Sequence, residues 1–120
     1  MIPLIQKYWY YLTITLLISI ALLSLWPAAQ LPSVPGSDKT HHFIGYAALI
    51  LPVALRQPKY FLIIVIGFLA FSGAIELIQP YVNRYGEWLD MLANTIGLIC
   101  GWLLAKLMLL FTQKKHVNLR

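Results

Sequence analysis

Two apolar runs, Tyr60–Ile78 and Leu89–Phe111, are each long enough to cross the hydrocarbon core of a bilayer as a helix. A short polar island from Glu76 to Asn94 joins them and carries three of the chain's four acidic residues, Glu76, Glu87 and Asp90. These runs restrict the fold more than any other feature. With 60% of its residues apolar and 11% charged, a soluble domain of 120 residues would expose surface that aggregates. The chain therefore reads as an all-α membrane protein, one domain over residues 1–120.

Two further apolar runs precede the long pair. The first covers roughly residues 8–26, with Tyr8, Trp9, Tyr10, Tyr11 at one end and Trp26 at the other as interfacial belts. Lys7 before the run and Ala28-Ala29-Gln30 after it also suit a cleaved signal peptide. The aromatic-rich start and the length favour a retained helix. Pro27, Pro32, Pro35 and Gly36 then make a loop, and Ser37 or Asp38 serves as the N-cap of the next helix. That second run, His42–Leu55, is short for a span, and Pro52 is expected to kink it near its end. A polar break at Arg56–Lys59 leads into the third run, 60–78, and the fourth, 89–111, ends in a basic tail. Cys100 has no second cysteine to pair with and reads as a small packing residue.

Charge selects the topology. If all four runs span, one side holds Lys7, Arg56, Lys59, Lys106, Lys114, Lys115 and Arg120 and no acidic residue. The other side holds Lys39 and Arg84 with all four acidic residues. The positive-inside rule then places both termini in the cytoplasm: four transmembrane helices, N-in and C-in. The net charge of +5 follows this partition and forms no basic face for nucleic acid. At about 1.5 Å per residue, Glu76 lies about 24 Å along its helix from Tyr60, and Asp90 about 24 Å from Lys106. The two carboxylates are thus expected at matched depth, near the outer edge of the hydrocarbon.

Three helices bring polar groups to that edge. Asp38 and His42 lie one helical turn apart, and Tyr46 repeats the step. Glu76 and Gln79 share a face, with Ser72 and Gly73 one turn earlier. Asp90, Asn94, Gly97 and Gly101 share another. An intramembrane carboxylate costs on the order of 2.5–3.5 kcal/mol on insertion scales, so Glu76 needs a partner; Arg84 is the first choice and Lys39 the second. His42 is suited to proton transfer, to binding a metal or to hydrogen-bonding a phosphate, and with the carboxylates it also suits a divalent cation. Each residue also has a plainer reading: Asp90 as a helix cap, His41 as a solvated side chain, Glu76 as half of a structural ion pair. Ala93, Gly97, Gly101 and Ala105 form a small-residue series of the kind that packs membrane helices. It either packs the chain on itself or seats a second copy through Gly97 and Gly101.

Asp38-Lys39-x-x-His42 with Gly45-Tyr46, followed by Glu76-x-x-Gln79, Arg84, Asp90, Asn94 and Gly97, resembles in order and spacing the two motifs of the VanZ-like family of small bacterial membrane proteins. The resemblance covers about Asp38 to Gly101. It implies a four-helix protein of the bacterial cytoplasmic membrane, in a family named for a member associated with glycopeptide resistance. Tyr85-Gly86-Glu87-Trp88 departs from the smaller or hydroxyl residues more usual after Arg84.

The residues themselves suggest an outward-facing polar site. His42 and Glu76 are the candidate acid/base pair, and Asp38, Lys39, Gln79, Arg84, Asp90 and Asn94 the candidate binding residues. Lys and Arg suit phosphate or carboxylate groups. The expected ligand has an anionic head and an apolar tail, an envelope lipid or a lipid-linked cell-wall intermediate drawn from the surrounding membrane. Two other readings stand beside it: an accessory protein whose polar cluster locks the helices together by ion pairs, and a small oligomeric lipid transporter. No motif for a cofactor, resident metal or known hydrolase nucleophile is present.

Overall fold

The computed structural model describes residues 1–26, 38–82 and 88–118, and the side chains of all of these except 38–39, 82, 88 and 114–118. The elements are α1 (Ile2–Lys7), α2 (Trp9–Leu25), α3 (Asp38–Arg56), α4 (Phe61–Ile78), a 3-10 turn at Gln79–Val82, and α5 (Trp88–Asn118). No strand occurs among the described residues.

Three boundaries differ from the ends of the apolar runs. Helical structure starts before Tyr8, because Pro3 falls in the first turn of α1, where no N–H partner is lost. Tyr8 (φ −105°, ψ 21°) marks a bend between α1 and α2. Bonds from Tyr8 N–H to Leu4 O (3.1 Å) and from Leu12 N–H to Tyr8 O (3.0 Å) carry the ladder through it. α3 begins at Asp38, four residues before the apolar run at His42 and in line with a cap at Ser37 or Asp38, and runs for 19 residues. Pro52 lies within the helix. α5 continues to Asn118, beyond the apolar stretch into the basic tail.

Successive helices reverse direction, as their contacts show. Gln6 Nε2 donates to Leu55 O at 2.6 Å, tying the start of the chain to the end of α3. Gly45 in α3 lies against Ile20 of α2. Gly73 of α4 faces Met91 of α5. α3 and α5 run parallel, Gly97 against Phe43 and Gly101 against Ala47 and Ile50. The expected small-residue series is therefore the seam of an intramolecular pair. A Cβ on Gly97 would strike the Phe43 carbonyl oxygen, and one on Gly101 the Ala47 carbonyl oxygen and the Ile50 side chain. Of the two uses the sequence left open for the glycine face, α3 takes the packing one.

α3 is the most sheltered helix. Tyr46, Leu49, Ile50, Val53, Ala54 and Leu55 are buried on it, joined by Phe68, Leu98 and Ala105. The outer faces of α4 and α5 are the reverse of a soluble protein's: Leu62 is 70% exposed, Ile63 67% and Phe111 70%. Buried polar side chains (Ser24, Ser72, Gln79, Asp90, Asn94) lie inside. Such an apolar exterior is stable in lipid and a liability in water. Between helices in lipid there is little hydrophobic driving force, so close packing along the Gly97–Gly101 seam and internal hydrogen bonds hold the bundle.

Phe61–Tyr81 and Leu89–Gln113 are long and apolar enough to cross a membrane; Trp9–Leu25 is apolar but shorter. In α2, hydroxyls are satisfied within the helix, Thr13 to Trp9 O, Thr15 to Tyr11 O and Ser19 to Thr15 O (2.7–2.8 Å).

The end of α3 is built on strained backbone. Gln57 has φ 55°, and its N–H caps Val53 O at 3.0 Å. This left-handed cap position suits glycine, and a side chain there costs about 1–2 kcal/mol, part of which glycine's own flexibility returns. Gln57→Gly is expected to raise stability by about 0.5–1 kcal/mol, seen as a higher unfolding temperature in detergent. An unchanged or lower temperature would mean that the Gln57 side chain stabilises the turn through its own contacts.

Candidate functional site

At the end of the bundle where α2 and α4 finish and α3 and α5 begin, polar side chains meet across three helices. His42, half-buried in the second turn of α3, has Nδ1 3.1 Å from Asn94 Oδ1 of α5. Asn94 is 0% exposed. Its Nδ2 donates to Ser72 Oγ of α4 at 2.7 Å. Ser72 is also fully buried and lies beside the Tyr46 side chain of α3, with the Glu76 carboxyl within electrostatic reach of Tyr46. A connected run of side chains thus crosses from α3 to α5 to α4. Local sequence explains the placement. His42 and Tyr46 are one turn apart on α3, Ser72 and Glu76 one turn apart on α4, and Asn94 lies just before Gly97 on the glycine seam. Close backbone approach at Gly97 brings Asn94 within reach of α3.

Gln79 is 1% exposed, at the start of the 3-10 turn. Its Nε2 donates to Ser24 O of α2 at 3.1 Å. Ser24 O is one of the last carbonyls of α2, which lack partners within their own helix, so Gln79 closes that end. The Gln79 Oε1 atom is buried and has no hydrogen-bond partner among the described residues. Glu76 Oε1 is buried as well. Asp90 is buried in the first turn of α5, where a carboxylate is stabilised by the helix's N-terminal N–H groups.

Of the sequence-predicted site residues, the structure joins His42 directly to Asn94 and brings Glu76 close to their chain through Tyr46. Gln79 and Asp90 are buried in elements at the same end of the bundle. The side chains of Asp38 and Lys39, and Arg84 altogether, lie outside what is described, so the expected pairing of Glu76 with Arg84 or Lys39 does too. Ser72 and Tyr46 belong to the cluster but were left out of the candidate set. Their signal was present: each is one helical turn from a chosen residue on the same face. Ser24 takes part through its backbone carbonyl, which no residue type announces. Among the described residues, no three His, Cys, Asp or Glu side chains are grouped to hold a metal ion.

The arrangement supplies a half-exposed imidazole anchored from below, buried amide and hydroxyl dipoles, and carboxylates at the bundle end. It is suited to hydrogen-bonding a polar head group and to proton transfer at His42. No curated protein and no solved structure matches the chain. The model of the family described as VanZ/LLP1 matches residues 2–110, a wider stretch than the Asp38–Gly101 motifs and one that takes in α1 and α2. With its apolar-faced helices and this match over most of its length, the chain is a VanZ-like membrane protein and belongs to the VanZ/LLP1 family.

Proposed function

We propose that α2 to α5 all span the bacterial cytoplasmic membrane, with both termini inside. On this reading the outward-facing polar end recognises an anionic envelope lipid or a lipid-linked cell-wall intermediate, in keeping with the family's link to glycopeptide resistance. The observation that carries the reading is the chain His42–Asn94–Ser72, which places a half-exposed imidazole at the rim of an otherwise apolar bundle. A polar site at the end of a bundle with apolar outer faces suits a ligand with a polar head and an apolar tail. The sequence adds Lys39 and Arg84 on the same side as cations for an anionic head. His42 and Glu76 remain the candidates for acid/base chemistry.

A structural reading has its own support, because Asn94 satisfies neighbours on two other helices and so holds them together. One experiment separates the two. Protein is purified gently from membranes, and its bound lipid is identified by mass spectrometry in wild type, His42→Gln and Glu76→Gln. The recognition reading expects a defined anionic lipid, with occupancy in His42→Gln falling about tenfold, as loss of one hydrogen bond to a charged group implies. The variant should stay folded. If no lipid is enriched in wild type, or if the variants unfold while retaining the same lipid, the cluster is a helix lock.

A further inference from the structure

We infer that Asn94 is a positioning residue for His42: it holds the imidazole as the Nδ1–H form and leaves Nε2 as the working atom of the site. This deepens the reading of His42 as a ligand-facing group and rests on it. The argument follows the direction of the hydrogen bonds. Asn94 Nδ2 is only a donor and faces Ser72 Oγ at 2.7 Å. Asn94 Oδ1 is then the atom that meets His42 Nδ1, 3.1 Å away. A carbonyl oxygen only accepts, so Nδ1 carries the proton. Tyr46 and the Glu76 carboxyl lie beyond Ser72, at the inner end of the run.

The consequence is specific. A free neutral imidazole side chain prefers its proton on Nε2. Held by Asn94, His42 instead presents a bare Nε2 when neutral, an acceptor for a hydroxyl or ammonium group. When protonated it presents an Nε2–H, a donor for a phosphate oxygen. Both ligand interactions pass through the same atom, and Asn94 need not touch the ligand. The opposite amide orientation, with Ser72 donating to Oδ1 and Nδ2 donating to Nδ1, would require the Nε2–H form, so the two are experimentally distinct.

The test is ¹⁵N NMR of histidine-labelled protein in lipid nanodiscs, without added ligand, at a pH well above the ordinary histidine value of about 6.5. His42 is assigned by comparison with His42→Gln. The expected result is a protonated-type Nδ1 and an unprotonated-type Nε2 for His42. In Asn94→Leu the pattern reverts to the Nε2–H form of a free side chain, and in Asn94→Asp, which keeps an acceptor, it is retained. An Nε2–H pattern in wild type overturns the inference, as does an unchanged Nδ1–H pattern in Asn94→Leu. Wild type alone decides the first point even if a variant does not fold. Because no ligand is present, failure here is separate from failure of the lipid-recognition reading.

Discussion

Gly97→Ala and Gly101→Ala are each expected to destabilise the protein more than any conservative change on its outer faces. The added Cβ of Gly97→Ala meets backbone atoms, the Phe43 carbonyl oxygen, with Phe43 C and Cα also at 3.2 Å. That of Gly101→Ala meets the Ala47 carbonyl oxygen and the Ile50 side chain, with Ala47 Cα at 2.9 Å. A side chain can rotate away from such a contact, but a helix backbone can only move as a unit. Overpacking typically costs about 1–3 kcal/mol, and the upper end applies where backbone must separate. The seam supplies much of the packing that holds α3 to α5 in lipid, where burial of apolar surface adds little. Gly67→Ala is the control, since nothing lies within 4 Å of its added Cβ. Thermal unfolding in detergent should show a large fall for the two seam variants and almost none for Gly67→Ala. Equal behaviour of all three would show that α3 and α5 do not meet in this register.

The same seam shows what was legible in the sequence. Gly97 and Gly101 stand at helical spacing with Ala93 and Ala105, so a close helix contact was readable. The identity of the neighbour was not, because small residues specify a short approach distance and carry no information about which backbone fills it. Boundaries failed for a related reason. The polar start of α3, Asp38 to His41, breaks the apolar pattern, and only the cap signal at Ser37 or Asp38 marks it as helix. α5 likewise continues past Phe111 into a charged stretch, since lysines favour helix even where they do not favour lipid. Apolar run length therefore reports what a membrane can hold and not where hydrogen bonding stops.

The candidate site was legible wherever a polar residue interrupted an apolar face. His42, Glu76, Gln79, Asp90 and Asn94 were all found in this way, and all are buried or half-buried. Ser72 and Tyr46 were harder. Serine is common in membrane helices because it can bond to its own backbone, as the serine and threonine hydroxyls of α2 do. Only its partner, Asn94 on another helix, distinguishes Ser72 from these. Tyrosine in a membrane protein is most expected at the interface, whereas Tyr46, in the middle of α3, is 1% exposed and lies beside Ser72. In both cases residue type was ambiguous and the contact across helices decided.

Asn94→Leu provides the second large effect, and it tests whether the cluster is one connected network. Leucine keeps the branched shape and number of non-hydrogen atoms, with bulkier methyl ends and no hydrogen-bonding atoms, so both bonds of Asn94 are removed with some overpacking. Ser72 loses a donor and His42 Nδ1 loses an acceptor, in a setting where water does not replace them. Leaving buried polar groups without partners costs about 1–3 kcal/mol each. Interhelical bonds in membranes are at the low end, about 0.6–1.7 kcal/mol. A total loss of about 2–3 kcal/mol is therefore expected. Ser72→Ala alone should cost less, because Tyr46 and Asn94 each lose only one of their contacts. The decisive measurement is the double variant. If the bonds are one network, Ser72→Ala costs less in the Asn94→Leu background than in wild type, by about 0.5 kcal/mol or more. Strict additivity of the two unfolding free energies would mean that Ser72 and Asn94 act separately, and that the polar run from His42 toward Glu76 is broken between α5 and α4.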